Sequence, residues 1–229
     1  MVENISYAYS SDEEDTSVIA SDIAYLNNAG QAPLNAAVQE AGARALQRPV
    51  WISNVDEDQK RIRELFAFLI EAEPQRVAIM PSTAFAISLA ASNIRRTLSP
   101  GKKGRILVLQ DQMCSAIYPW QQMCDASNGD IILDIIQHPT NDGGWTEAII
   151  KKLNEDVLVA CLPPLHWADG ALVDLEKISS VCQKQNINLI VDATQGILCQ
   201  KSVCLFHNFT SLTVFWRLFL YCSSWNHAL

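Results

Sequence analysis

Leu189-Ile190-Val191-Asp192-Ala193-Thr194-Gln195-Gly196 is an apolar run that ends on a carboxylate. Asn188 to Val191 reads as a strand with both faces covered, as in a parallel sheet. Ligands of open parallel sheets sit beyond the carboxyl ends of the strands, which is where Asp192 falls. A carboxylate there can hold the protonated ring nitrogen of a heterocyclic cofactor. Gln195, three residues on, can donate to an oxygen on the same ring. A second role is open to Asp192, because Asp in such a position commonly caps the following turn.

Upstream, short apolar runs alternate with amphipathic stretches. Strands are expected at 77–80, 106–109, 131–136 and 157–161, and helices at 34–46, 57–70, 84–98, around 120–124, 145–153 and 175–185. In the second helix Ile62, Leu65, Phe66 and Leu69 recur at helical spacing. Strands separated by helices of this length imply right-handed crossovers, hence an α/β fold of three layers, α/β/α, with a mainly parallel sheet.

Residues that follow the other strands are the remaining candidates. Pro81-Ser82-Thr83-Ala84 opens an Ala-rich helix, where hydroxyls and unpaired amides can receive a phosphate. Ser82 or Thr83 can equally be an ordinary N-cap. Gln110 to Ser115 and then Tyr118-Pro119-Trp120 could cover the face of a flat group, although simple core packing suits Trp120 better. His166, in Leu162-Pro163-Pro164-Leu165-His166-Trp167-Ala168-Asp169-Gly170, reads alone as a loop histidine with satisfied bonds. Gly101-Lys102-Lys103-Gly104 lacks P-loop spacing, and no dinucleotide fingerprint or nucleophile elbow is present. His138, His166, His207 and His227 show no metal-ligand spacing with each other or with the cysteines, so no metal is expected.

Composition bounds the partners. Of the 229 residues, 49% are hydrophobic and 18% charged, a globular balance that excludes general disorder. A formal charge of -8 argues against a broad nucleic-acid surface. Residues 1–24 read as an acidic leader without a secretory apolar block, and the seven cysteines form no CxxC pair. A reduced, cytoplasmic protein is the expectation. From residue 198 the character changes: no Asp or Glu occurs, and the fixed charges are Lys201 and Arg217. The apolar run 212–221 is too short to span a membrane and is interrupted by Arg217. Either it packs on the sheet or it is a tail foreign to the parent fold.

Taken together, these segments resemble the pyridoxal-phosphate (PLP) enzymes of the class V aminotransferase and cysteine desulfurase type. Tyr25-Leu26-Asn27-Asn28-Ala29 resembles their opening motif, Ser82-Thr83 their phosphate cup, and Pro119-Trp120-Gln121 a stretch of the desulfurases. His166-Trp167-Ala168-Asp169-Gly170 resembles a loop of epimerase-like members, and Val191-Asp192-Ala193-Thr194-Gln195 the aspartate-and-glutamine motif. Order and spacing agree over residues 25–197, which the resemblance makes a partial PLP-binding large domain.

The resemblance implies PLP as cofactor, a small amino-acid substrate and a homodimer. It places Ser82 and Thr83 at the phosphate, Asp192 at the pyridine nitrogen and Gln195 at the phenolate oxygen. Met113 falls on the position stacked over the ring, where desulfurases carry His, and His166 falls among the cofactor contacts. Ala29 and Gly30 fall on the substrate-carboxylate side. The family also places a lysine a couple of dozen residues after the aspartate, but Lys201 is the last lysine here and lies too close to Asp192. The expectation is a truncated form that lacks the small C-terminal domain, binds PLP non-covalently at most, and is inactive or a partner of a full-length subunit.

Overall fold

A computed structural model describes residues 24–26, 34–49, 55–140, 144–196 and 220–222. Ala29, Gly30, most of the acidic leader and most of the segment after residue 197 lie outside them. The chain divides into two units, Met1–Asn54 and Val55–Leu229. The first contains helix α1 (Ala36–Leu46), whose N-cap Asn35 accepts a hydrogen bond from the Val38 amide.

The second unit carries the fold. Its elements run α2 (Val55–Leu69), β1 (Val77–Ile79), α3 (Thr83–Thr97), β2 (Gly104–Leu109), α4 (Cys114–Asp125), β3 (Ile131–Ile136), α5 (Gly144–Lys152), β4 (Val157–Leu162), α6 (Leu175–Gln185), β5 (Asn188–Val191) and β6 (Leu220–Cys222). Four strands form one parallel sheet in the order β3-β2-β4-β5. β1 stands apart from it and pairs antiparallel with β6, so the expected strand at 77–80 does not extend the parallel sheet.

Side-chain alternation along the strands builds two cores. Leu107 and Leu109 of β2, Ala160 and Leu162 of β4, and Leu189 and Val191 of β5 face one way, toward Phe66 of α2, Trp145 and Ile149 of α5, and Ile178 of α6. Ile106 and Val108, Val159 and Cys161, and Ile190 face the other way, toward α3 and α4. Every residue of the central strand β4 is buried. This is the three-layer α/β/α arrangement that the continuous apolar runs imply.

Chain order and layer assignment together locate a crevice. From β2 the chain moves to β3 through α4 on one face, then returns past β2 to β4 through α5 on the other. Right-handed crossovers require this change of face when the direction reverses. The loops after β2 and β4 therefore diverge to opposite faces, and the gap between them is the topological switch point where open sheets bind ligands.

Two departures from the sequence reading have physical reasons. α4 begins at Cys114, earlier than expected around 120, and carries Pro119 inside it. Proline there forfeits one helical hydrogen bond but keeps a helical φ, and Pro119 and Trp120 bury against the sheet. β3 is not covered on both faces: Ile132 and Ile135 are exposed, as suits the outer position it holds among the described strands. Its Asp134 is paired with Arg105 of β2, which also donates to Asn154 at 2.9 Å.

Candidate functional site

The carboxyl edge of the sheet is built by the residues after β2, β3, β4 and β5. β5 delivers Asp192 there, its amide donating to Leu162 O at 3.0 Å and so extending the ladder with β4 by one residue. The residue is 7% exposed. Its Oδ1 accepts from the Thr194 amide at 3.1 Å and from the Thr194 hydroxyl at 2.5 Å. Burial raises the pKa of this carboxyl above the ordinary Asp value, and the two Thr194 bonds only partly oppose that. Both readings of Asp192 thus meet in one geometry: it caps the turn with one oxygen and remains a buried carboxylate at a strand end.

Close by lies Cys161, whose thiol is pushed up to about 12 by burial and by the Asp192 charge, with the Trp120 indole acting the other way. Trp120 is fully buried, so it packs in the core as the sequence suggested and covers nothing exposed. Gln195 is half-buried in the turn that Gly196 closes by donating its amide to Ala193 O. That turn approaches the Pro163-Pro164 loop so closely that a Cβ on Gly196 would stand 2.7 Å from Pro164 Cγ.

Ser82 is the N-cap of α3, and its Oγ accepts from the Phe85 amide at 3.0 Å. The cap leaves the amides of Thr83 and Ala84 outside the helical ladder, and Ser82 and Thr83 are half-buried. One turn further along α3, Ala86 and Ile87 join the core that contains Val108, Cys161 and Ile190. The helix start is thereby anchored to the layer that also receives the ends of β2, β4 and β5. Met113 is the N-cap of α4 without a capping side-chain bond, and it is 45% exposed.

His166 sits in a different setting from Met113. It is fully buried, its backbone amide donates to Ala171 O, and Gly170, at φ 72°, returns the chain by donating its amide to His166 O. The ring Nε2 is 2.9 Å from Gln110 O, and Nδ1 is 3.2 Å from Asp169 Oδ1. Trp145 lies against the ring at 4.8 Å and donates its Nε1 to Asp169 Oδ2 at 3.0 Å. The ring is shielded from solvent and joins the loops after β2 and β4.

A cluster that the sequence did not announce surrounds it. His138, after β3, has Nδ1 3.6 Å from Asp169 Oδ2 and Nε2 3.5 Å from Asp111 Oδ2. Trp167 donates its indole N–H to Asp111 O. The sequence signal was available: Asp111, His138 and His166 each lie within four residues of a strand's carboxyl end, the rule already used to single out Asp192.

Comparison with known proteins agrees with this architecture. The family model described as Aminotransferase class-V matches residues 25–202. The uncharacterized aminotransferase YcbU of Bacillus subtilis (strain 168) is 29% identical over 166 residues, covering 72% of this chain and 42% of that protein. Among solved structures, the cysteine desulfurase CsdA from Escherichia coli superposes with a TM-score of 0.64 at 18% identity, covering 75% of this chain and 45% of that one. A C-DES variant with glycine covalently linked to its PLP cofactor gives 0.67 at 18% identity, covering 89% and 57%. The chain spans less than half the length of the curated relatives it matches. With the family model covering most of its length, the chain belongs to the class V aminotransferase family.

Proposed function

We propose that this chain carries the cofactor-binding part of a PLP enzyme acting on a small amino acid, and that in this form it does not turn substrate over. The observation that carries the reading is Asp192, a buried carboxylate at a strand end with one oxygen held by Thr194. A protonated pyridine nitrogen is the kind of partner that such a carboxylate lacks. PLP, when bound, supplies an electron sink for reactions at the α- or β-carbon of an amino acid.

The remaining residues fit the same group. Ser82, Thr83 and the first amides of α3 bind the phosphate, as helix starts do. Gln195 contacts the phenolate oxygen, Met113 covers one face of the ring, and Ala29 and Gly30 serve the substrate carboxylate. His166 acts at one remove by holding the loop after β4. The parent reaction is a C–S lyase or desulfurase reaction, an epimerisation or a transamination.

No lysine follows Lys201, so the covalent anchor and the base for moving the α-proton are both missing from the segment where the family carries them. That absence favours a second reading, a non-catalytic subunit that pairs with a full-length chain. A cytoplasmic setting belongs to the same proposal; the thiols of Cys124, Cys161 and Cys182 are buried and unpaired. No helix among the described residues is long and apolar enough to cross a membrane.

The test is titration of the whole chain with PLP, followed by absorbance, then borohydride treatment and dialysis. Saturable binding without a covalent adduct is expected, and Asp192→Asn should bind roughly 30-fold more weakly, about 2 kcal/mol for a charge-assisted bond. Equal affinity in that variant would overturn the cofactor assignment. A reduced covalent adduct, or turnover of cysteine, would overturn the inactivity. Co-purification with a full-length family member would support the subunit reading, and exclusive recovery as a monomer would sink it.

A further inference from the structure

The histidine cluster at the carboxyl edge of the sheet presents a donor set of its own. One nitrogen of His138, one of His166 and one carboxylate oxygen of Asp169 all lie within 4.8 Å of one another. They come from the loops after β3 and β4, held beside the loop after β2. His166 is fully buried, and its Nδ1 has no hydrogen-bond partner although Asp169 Oδ1 is 3.2 Å away.

The tautomer of His166 follows from its other nitrogen. Gln110 O can only accept, so Nε2 must carry the hydrogen across the 2.9 Å between them. In the tautomer that carries its hydrogen there, the Nδ1 lone pair faces a carboxylate oxygen, which is also an acceptor. Two acceptors 3.2 Å apart, one of them on a fully buried ring, call for a cation between them.

The spacing suits a metal ion. Donors at about 2.0–2.1 Å from a tetrahedral ion stand roughly 3.3 Å apart. Here Asp169 Oδ1 stands 3.2 Å from His166 Nδ1 and Asp169 Oδ2 stands 3.6 Å from His138 Nδ1, so each oxygen faces one imidazole. The outer contacts also have the form found around metal-bound histidines, whose second nitrogen meets an oxygen acceptor. His166 Nε2 meets Gln110 O, and His138 Nε2 faces Asp111 Oδ2 at 3.5 Å. Trp145 Nε1 and the Ala171 amide, at 3.0 and 2.8 Å, orient the Asp169 carboxylate.

We propose that His138 Nδ1, His166 Nδ1 and Asp169 bind a divalent ion of the zinc class, at a site separate from the PLP cradle. Two imidazoles and one carboxylate suit Zn²⁺ over Mg²⁺ or Ca²⁺, which prefer sets made of oxygen alone. Three protein ligands leave a fourth position for water on the side where His138 and Asp169 are partly exposed. The ion fastens together the loops after β3 and β4 and, through Gln110, the loop after β2.

The test uses the full chain without an affinity tag, freed of metal and PLP, titrated with Zn²⁺ by calorimetry and with Co²⁺ by visible absorption. One equivalent should bind, and the Co²⁺ spectrum should show tetrahedral ligand-field bands without a thiolate charge-transfer band. His138→Gln, at a partly exposed position, should fold as the parent does by circular dichroism and lose at least about tenfold in Zn²⁺ affinity, with Asp111→Asn losing less. His227→Gln should bind as the parent does. Binding that survives both His138→Gln and Asp169→Asn, a thiolate band, or no saturable binding would overturn the proposal. The last outcome would leave a proton as the cation between His166 and Asp169. None of these readouts depends on PLP, so failure here leaves the cofactor assignment standing.

Discussion

Asp192 and Asp169 lie at the same edge of one sheet and titrate in opposite directions. At Asp192 burial prevails over two bonds from a single threonine, and the carboxyl is raised. At Asp169 burial also works against the charge, but its hydrogen bonds, those of the Ala171 amide and the Trp145 indole foremost, outweigh it and hold the carboxyl below its ordinary value. The difference lies in the donors each carboxyl meets. Asp169 has donors from two residues, Trp145 of α5 and Ala171 of its own loop, whereas Asp192 has those of Thr194 alone.

The comparison breaks most directly at His166. His166→Ala empties a fully buried position and strands Gln110 O, so a loss of about 3 kcal/mol is expected in denaturant unfolding. A loss under 1 kcal/mol would mean that the β4 loop does not depend on this ring. Next comes Gly196→Ala, whose new methyl meets Pro164 at 2.7 Å. A cost of about 1–3 kcal/mol is expected from forcing the two loops apart, read as a lower melting temperature. Ser82→Ala should cost about 1 kcal/mol through the lost cap of α3, measured the same way, and should weaken PLP binding as well.

The smallest expected change is a gain. Asp192 has a raised folded-state pKa, so the unfolded chain releases this proton first as pH increases. The folded state is penalised progressively from the ordinary carboxylate range up through the raised value, and the penalty is complete above it. Asp192→Asn keeps an oxygen for both Thr194 bonds and removes that penalty. The variant should therefore melt higher than the parent at neutral pH and lose this advantage in acid. Equal melting points across the pH range would show that Asp192 is not a strained anion.

Much of this architecture can be read from the sequence for a simple reason. The apolar runs of β2, β4 and β5 are buried on both faces, so nothing masks them, and their alternation with amphipathic helices sets the parallel order. Asp192 is legible because it ends such a run. The start of α4 was hidden by Pro119, which resembles a helix boundary in sequence and is accommodated inside the helix here. The partial exposure of β3, at Ile132 on one face and Ile135 on the other, depends on its place at the outside of the described sheet, which no local pattern encodes. His138 and Asp169 meet only because β3 and β4 flank β2 in space, a neighbourhood set by strand order and not by spacing along the chain.

Trp145 stands 4.7 Å from the His138 ring and 4.8 Å from the His166 ring, fully shielded from water. An indole held against an imidazole loses emission when that imidazole is protonated, because the charged ring accepts an electron from the excited state. The fold has therefore placed an optical reporter beside its histidine pair. Comparing the emission of the parent with that of Trp145→Phe isolates the signal of this one residue among the six tryptophans. The state of the loops after β3 and β4 can then be followed in solution without any added label.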